Sequence, residues 1–365
     1  MKKSLITLGL LVSSALFFSS CVTEEPYYRN CGCKNIEAVK LKRTKLYVSL
    51  PDYAPTPDAF AVAPNGDIIL SCPNFADTSK TGCLLRITKD KKIIKIANAP
   101  VLESTQKAYF MGLAFDDDGY LYVCDNQGWT GTKEGQNKGR LLRLKLKDNK
   151  IISTDVIAYG MCHPNGVRFY NGYLYVTQSM LPEFKTKKLS SGVYKFKTTD
   201  RNIRVKNRST DENLIFTAQT QNEKCQYGLD GLVINNAGNL FVGDFGDGTI
   251  YRLILNDRGD LVISTIYTKC PNNVGIDGID IDAVGNLYIA GFSRNSILKV
   301  TPSREVQIIA QYPDNDGSKG QIDQCADVIV YGDKLLISNF DCVTDSGKTN
   351  RKHDKPYTVS YLKLD

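Results

Sequence analysis

The stretch LDGLVINNAGNLFVGDFGDGTIYRL, residues 229–253, decides the fold of this chain. An alternating run with its turn residues, DGLVINNA, leads into a second, GNLFVGDF, and a third, TIYRL, follows the tight DFGDGT. This reads as strand, turn, strand, turn, strand. The same stretch raises a question. A strand with an apolar interior begins with a carboxylate, Asp230, ahead of Gly231.

Working outward, the unit recurs. Counterparts of GNLFVGDF are GDIILSC, GYLYVCDN, GYLYVTQS, GNLYIAGF and DKLLISNF. Each follows a short alternating run and a turn: DAFAVAPN, MGLAFDDD, NGVRFYN, DGIDIDAV and ADVIVYG in the other five units. A third strand continues each unit, as in CLLRITKD, RLLRLKLKD or SILKVTPS, and a weaker fourth usually follows, as in KIIKIANA or LVISTIYT. Four antiparallel strands repeated six times, with no helical period, predict an all-β six-bladed β-propeller. The last unit runs out at Asp365 without a fourth strand, while KLYVSL near residue 45 has no unit of its own. This N-terminal strand is therefore expected to complete blade six and close the ring, removing the exposed edges an open repeat would leave. A solenoid would need shorter, more regular repeats. The expected layout is a signal segment over 1–20, a tether over 21–44 and the propeller over 45–365.

At 365 residues and 42% hydrophobic, the chain has ample material for a core. Its formal charge of +7 is spread without a dense basic stretch, so no nucleic-acid partner is expected. MKKSLITLGLLVSSALFFSSC has two lysines, an apolar run and small residues, the layout of a secretory leader. Its FSSC end resembles a bacterial lipobox, with lipid on Cys21 and the chain tethered in the cell envelope as its only contact with a membrane. The alternative is an ordinary cleaved signal with an incidental cysteine. Of the 11 cysteines, those after Cys21 would sit in an oxidising compartment, where disulfides are the default. Cys72 with Cys83 and Cys325 with Cys342 are the first pairs to test, because each would tie the base of a long loop. Free, buried cysteines are the alternative. A monomer is expected.

Counting back from the GNL-type element, allowing for shorter hairpins in blades three and six, one residue heads each innermost strand: Asp58, Met111, Asn165, Asp230, Asp277 and Ala326. Innermost strands line the channel of a propeller, so these side chains are expected to meet around its mouth. Asp-Gly and Asn-Gly are also turn dipeptides, which explains any one blade taken alone. Met111 and Ala326 hold equivalent places, however, so the backbone there does not demand a polar side chain. Three carboxylates about 6 Å apart would repel by about 8 kcal/mol together at an effective dielectric near 20. Protons or a cation must relieve that. Carboxylates plus an amide oxygen form a hard, oxygen-only set that points to Ca2+, ahead of Mg2+, Mn2+ or Zn2+.

HPNGVRFYNGYLYVTQS and LDGLVINNAGNLFVGDF, one blade apart, resemble the gluconolactonase/regucalcin (senescence marker protein)/LRE-like family of six-bladed propellers. The resemblance runs from about residue 50 to the end, on short motifs, and NHL-repeat binding propellers share much of the phrasing. It implies a divalent cation held by Asp58, Asn165 and Asp230, with aspartate at 58 where the family usually has glutamate. It also implies hydrolysis of a small-molecule lactone or related ester, with Asp230 positioning or deprotonating water. Asp277, without a firm family counterpart, is either a further acid or base or a structural residue. Met111 stands where many members have a substrate- or metal-contacting asparagine, and Tyr109 where some sugar lactonases place an arginine, so a sugar lactone is not assumed.

His163, two residues before Asn165, is a general base near the mouth or a packed loop residue. His353, in a charged insert, is expected to be solvated. Four loops between second and third strands are long, over 71–83, 125–140, 178–192 and 339–356, and are expected to wall the mouth beside blades six, one, two and three. Trp129, in one of them, is a candidate substrate cover or a loop anchor. The rival to an enzyme is a non-catalytic binding propeller for a glycan, peptide or protein.

Overall fold

The computed structural model describes residues 36, 37, 39–345 and 347–364. Leader residues, Cys21, Cys31 and Cys33 lie outside them. Six antiparallel sheets form the six blades of a β-propeller. Blade four, built from the opening stretch, runs Leu229–Ile234, Asn239–Asp244, Thr249–Leu255 and Leu261–Lys269 from the axis outward. Its first two strands are buried almost throughout, whereas the outermost is largely exposed. That gradient places the core between neighbouring blades near the axis, and it explains why the fourth strands carry the weakest sequence pattern.

The ring closes as expected. Lys45–Ser49 pairs antiparallel with Thr358–Lys363, so the fourth strand of blade six comes from the other end of the chain. The described part of the tether, residues 36, 37 and 39–44, docks on the propeller. Ile36–Glu37 adds a parallel strand to the edge of blade five, Lys42 N donates to Ile309 O, and the Thr44 hydroxyl donates to Gly320 O at 2.6 Å.

One local irregularity positions everything that follows. In blades two to six the innermost strand carries one extra residue at its head: Leu229 faces Asp244 but Leu232 faces Val242, and the same shift recurs from Phe110, Pro164, Ile276 and Cys325. Such a bulge re-aims a side chain that regular pleating would bury. Here it frees the head residue to face the axis. Glycine follows for a packing reason: a Cβ at 231 would overlap the backbone carbonyl of Asp277 in the next blade, and one at 112 the carbonyl of Asn165. Neither glycine has positive φ, so close approach of neighbouring strands, and not turn geometry, accounts for the Asp-Gly dipeptide.

Hydroxyls on the second strands lock the heads. Thr177 accepts from Gly166 N at 2.8 Å and donates to the carbonyl of Asp230, one blade on, at 2.5 Å. Ser338 does the same between Asp327 N, at 2.9 Å, and the carbonyl of Asp58.

Candidate functional site

A cavity of about 380 Å3 opens at the mouth of the axis. Five of the six head positions border the channel at this level: Asp58, Met111, Asn165, Asp230 and Asp277 line the cavity, and Ala326 lies just beneath. Asp58 and Asp230 are 4% and 3% exposed, so neither charge is met by bulk water. Asp58 Oδ2 has no hydrogen-bond partner among the described residues. The Asp230 carboxyl lies within hydrogen-bonding reach of both Asp277 and the Asn165 amide. Asn165 is in turn held by the Tyr227 hydroxyl, to which its Nδ2 donates at 3.5 Å.

Burial, then the negative fields of Asp327 and Asp230, pushes the Asp58 carboxyl well above the usual range. Asp230 and Asp277 are raised in the same way, by burial first, with Asp230 adding to Asp277. Asp327 is the residue the sequence reading missed. Sitting one place after the head position in blade six, it aims its carboxylate under the cavity, accepts from Phe60 N at 2.9 Å, and fills the space left by Gly278. Burial pushes it up to about 7, partly offset by the Arg168 guanidinium. Four acids thus converge with one arginine below them. Protons or a cation must balance the excess.

Above the acids the wall is aromatic. Phe245, Phe292 and Phe340 follow the second strands of blades four, five and six, and successive rings meet edge to face at 5.6 and 5.5 Å. Tyr227 continues the girdle at 5.4 Å from Phe245. Trp129 closes the other side, stacked on Phe75 at 3.9 Å. A signal for this was present in the repeated GDF, AGF and SNF endings. Lys348, on the long loop of blade six, is 8% exposed and lays its ammonium over Phe245 at 4.6 Å and Phe292 at 5.7 Å. The 339–356 loop, expected beside blade six, therefore reaches across to blades four and five.

Three expectations need correction. Tyr109 does not line the cavity; just ahead of the strand Phe110–Phe115, it stacks on Phe75 of blade one at 5.0 Å. His353 is half-buried rather than solvated, stacked on Tyr357 at 5.2 Å with its Nδ1 3.3 Å from Asp341 Oδ2. No two described cysteines are bonded: Cys72 and Cys83 face each other across blade one as thiols, and Cys325 donates to Ser296 O at 3.3 Å instead of reaching Cys342. His163 does line the cavity, and burial lowers it to about 4, so its imidazole is neutral at pH 7.

The architecture defines a class: a six-bladed propeller with an acidic, aromatic-walled cavity at one end of its axis. No protein-family model and no curated protein matches the chain. Solved structures do match in fold. A luciferin-regenerating enzyme superposes with a TM-score of 0.57 at 13% identity over 89% of this chain and 95% of its own. A calcium-binding regucalcin from Agrobacterium tumefaciens gives 0.57 at 13% over 90% and 97%, and a gluconolactonase from Xanthomonas campestris 0.56 at 12% over 91% and 97%. These likenesses support the fold of the gluconolactonase/regucalcin group, the one the sequence motifs resemble.

Proposed function

We propose that the chain is a divalent-cation-dependent hydrolase of lactones or related esters whose non-reacting part is apolar. The observation that carries this reading is the convergence of Asp58, Asn165 and Asp230 on one cavity, with Asp58 Oδ2 buried and unpartnered. Two carboxylates and an amide oxygen from three blades fit a hard cation, Ca2+ first. When bound, such an ion would polarise the scissile carbonyl and offset negative charge developing on its oxygen.

The chain's own residues supply the rest. Asp230 is placed to accept a proton as water adds to the carbonyl carbon. Asp277, within reach of Asp230 and open to the cavity, is placed to give a proton to the departing alkoxide as the C–O bond breaks. Their mutual hydrogen bond would return the proton and restore both. Neutral His163, edge to face with Tyr227, is assigned a packing role in the cavity wall. Above, Met111, Met180, Trp129 and the phenylalanine girdle offer a large apolar surface, with Lys224, Gln226, Thr344 and Lys348 as the polar part of the lining, which favours an alkyl or aryl ester or lactone as substrate.

The test is hydrolysis of a lactone and aryl-ester panel by calcium-loaded protein and by Asp230→Asn. Turnover that is lost in the variant supports the enzyme; saturable binding without turnover in either assigns the cavity to a binding protein. Lipid attachment at Cys21, an envelope location and a monomeric state remain part of the proposal. Mass analysis of membrane-extracted protein and light scattering address them.

A further inference from the structure

Away from the axis, a second group of carboxylates meets at the base of the long blade-six loop. Asp323, Asp341 and Asp354 each offer an oxygen, and these atoms all lie within 4.8 Å of one another. They come from three segments: the connection entering blade six, the end of its second strand, and the far end of the 339–356 loop. Asp341 is tied locally, accepting from Asn350 Nδ2 at 3.2 Å and from Asp354 N at 3.1 Å, with His353 Nδ1 3.3 Å from its Oδ2. Asp323 is not. It is 2% exposed, and its Oδ1 has no hydrogen-bond partner among the described residues. Asp354 Oδ1 is likewise buried without a partner. Burial, followed by the fields of Asp341, Asp354, Asp314 and Asp316, pushes Asp323 up to about 9.

His353 faces Asp341 Oδ2, which leaves Asp323 Oδ1 and Asp354 Oδ1 buried without a partner, and a carboxylate this deeply buried and aimed at two others calls for a positive charge. We infer that Asp323, Asp341 and Asp354 form a second divalent-cation site, a calcium clip that joins the two ends of the 339–356 loop to the entry of blade six. Oxygen-only donors from flexible connections suit Ca2+ over smaller, stricter ions. The clip has a consequence for the cavity, because the loop it closes carries Lys348 over Phe245 and Phe292. None of its three carboxylates belongs to the axial set.

The experiment is calorimetric titration of the metal-free full chain with calcium chloride, comparing wild type, Asp323→Asn and Asp230→Asn. With both sites real, wild type binds two ions and each variant one. With the axial reading wrong and the clip right, wild type binds one, Asp230→Asn one and Asp323→Asn none. Wild-type stoichiometry in Asp323→Asn overturns the clip. Should that variant misfold, Asp354→Asn, at a half-buried position, is expected to weaken one site by about tenfold or more, and unchanged affinity there overturns the proposal equally. Trypsin adds a local readout: calcium is expected to slow cleavage at Arg351 and Lys352 in wild type and Asp230→Asn but not in Asp323→Asn. Equal cleavage with and without calcium in wild type contradicts a clip.

Discussion

Replacing Asp58 with asparagine separates the electrostatic account of the axis from its alternatives. Asp58 is 4% exposed with Oδ2 unpartnered, and burial with Asp327 and Asp230 raises its carboxyl well above the usual 3.8. For a carboxyl that ionises at 3.8 when unfolded and resists ionisation in the fold, the cost at pH 7 has an upper bound of about 4 kcal/mol, at about 1.4 kcal/mol per pH step. The amide in Asp58→Asn is neutral and close to isosteric, so it removes that cost. In chelator at pH 7 the variant should therefore be more stable than wild type by up to about 4 kcal/mol. With an unfolding entropy of about 2 cal/mol/K per residue, that is a rise of about 6 °C in Tm. At pH 4, where protonating Asp58 is nearly free in either state, the gain should vanish. In saturating calcium the order should reverse, because the variant has lost a ligand and wild type gains binding free energy. Scanning calorimetry at the two pH values, with and without calcium, reads all four corners. An Asp58→Asn protein that melts below wild type in chelator at pH 7 would refute the claim that this carboxylate is held at a cost.

Further outcomes follow from the same structure. Because Asp327 is pushed up to about 7, the folded chain holds more protons than the unfolded one between about pH 4 and 7; the chelated protein should lose stability over that window as pH rises, and the Tm gap to the calcium-loaded protein should widen. Gly231→Ala must displace the Asp277 backbone and should cost about 3 kcal/mol or fail to fold, seen as a lower urea midpoint. Thr177→Val leaves Gly166 N and the Asp230 carbonyl without their bridge and should cost about 1–3 kcal/mol, with calcium affinity falling as well. Trp129→Ala should raise KM for an aryl ester, whereas Tyr109→Phe, off the cavity lining, should leave kcat/KM unchanged.

The fold was legible because a propeller writes its repeat in the sequence: six alternating hairpins with turns at matching places, and a spare strand near residue 45 to match the fourth strand the last unit lacks. The head positions were legible for the same reason, since a bulge at one register repeats from blade to blade. Asp327 escaped because blade six puts its acid one residue later, where Gly278 of the neighbouring blade leaves room, a relation between strands distant in sequence. The phenylalanine girdle could have been read from its repeated position after the second strands. Lys348 could not, because the sequence of its loop repeats in no other blade and its place depends on how that insert crosses the mouth. The thiol pairing failed for a geometric reason: Cys325 and Cys342 share a blade end, but Cys325 turns to the backbone of blade five.

The account rests on one ion bound where three blades meet. A crystal equilibrated with Mn2+, as a calcium substitute with a strong anomalous signal, tests this most directly. An anomalous peak on the axis in contact with oxygens of Asp58, Asn165 and Asp230 is the expected result. Saturating manganese with no peak among these residues would contradict it.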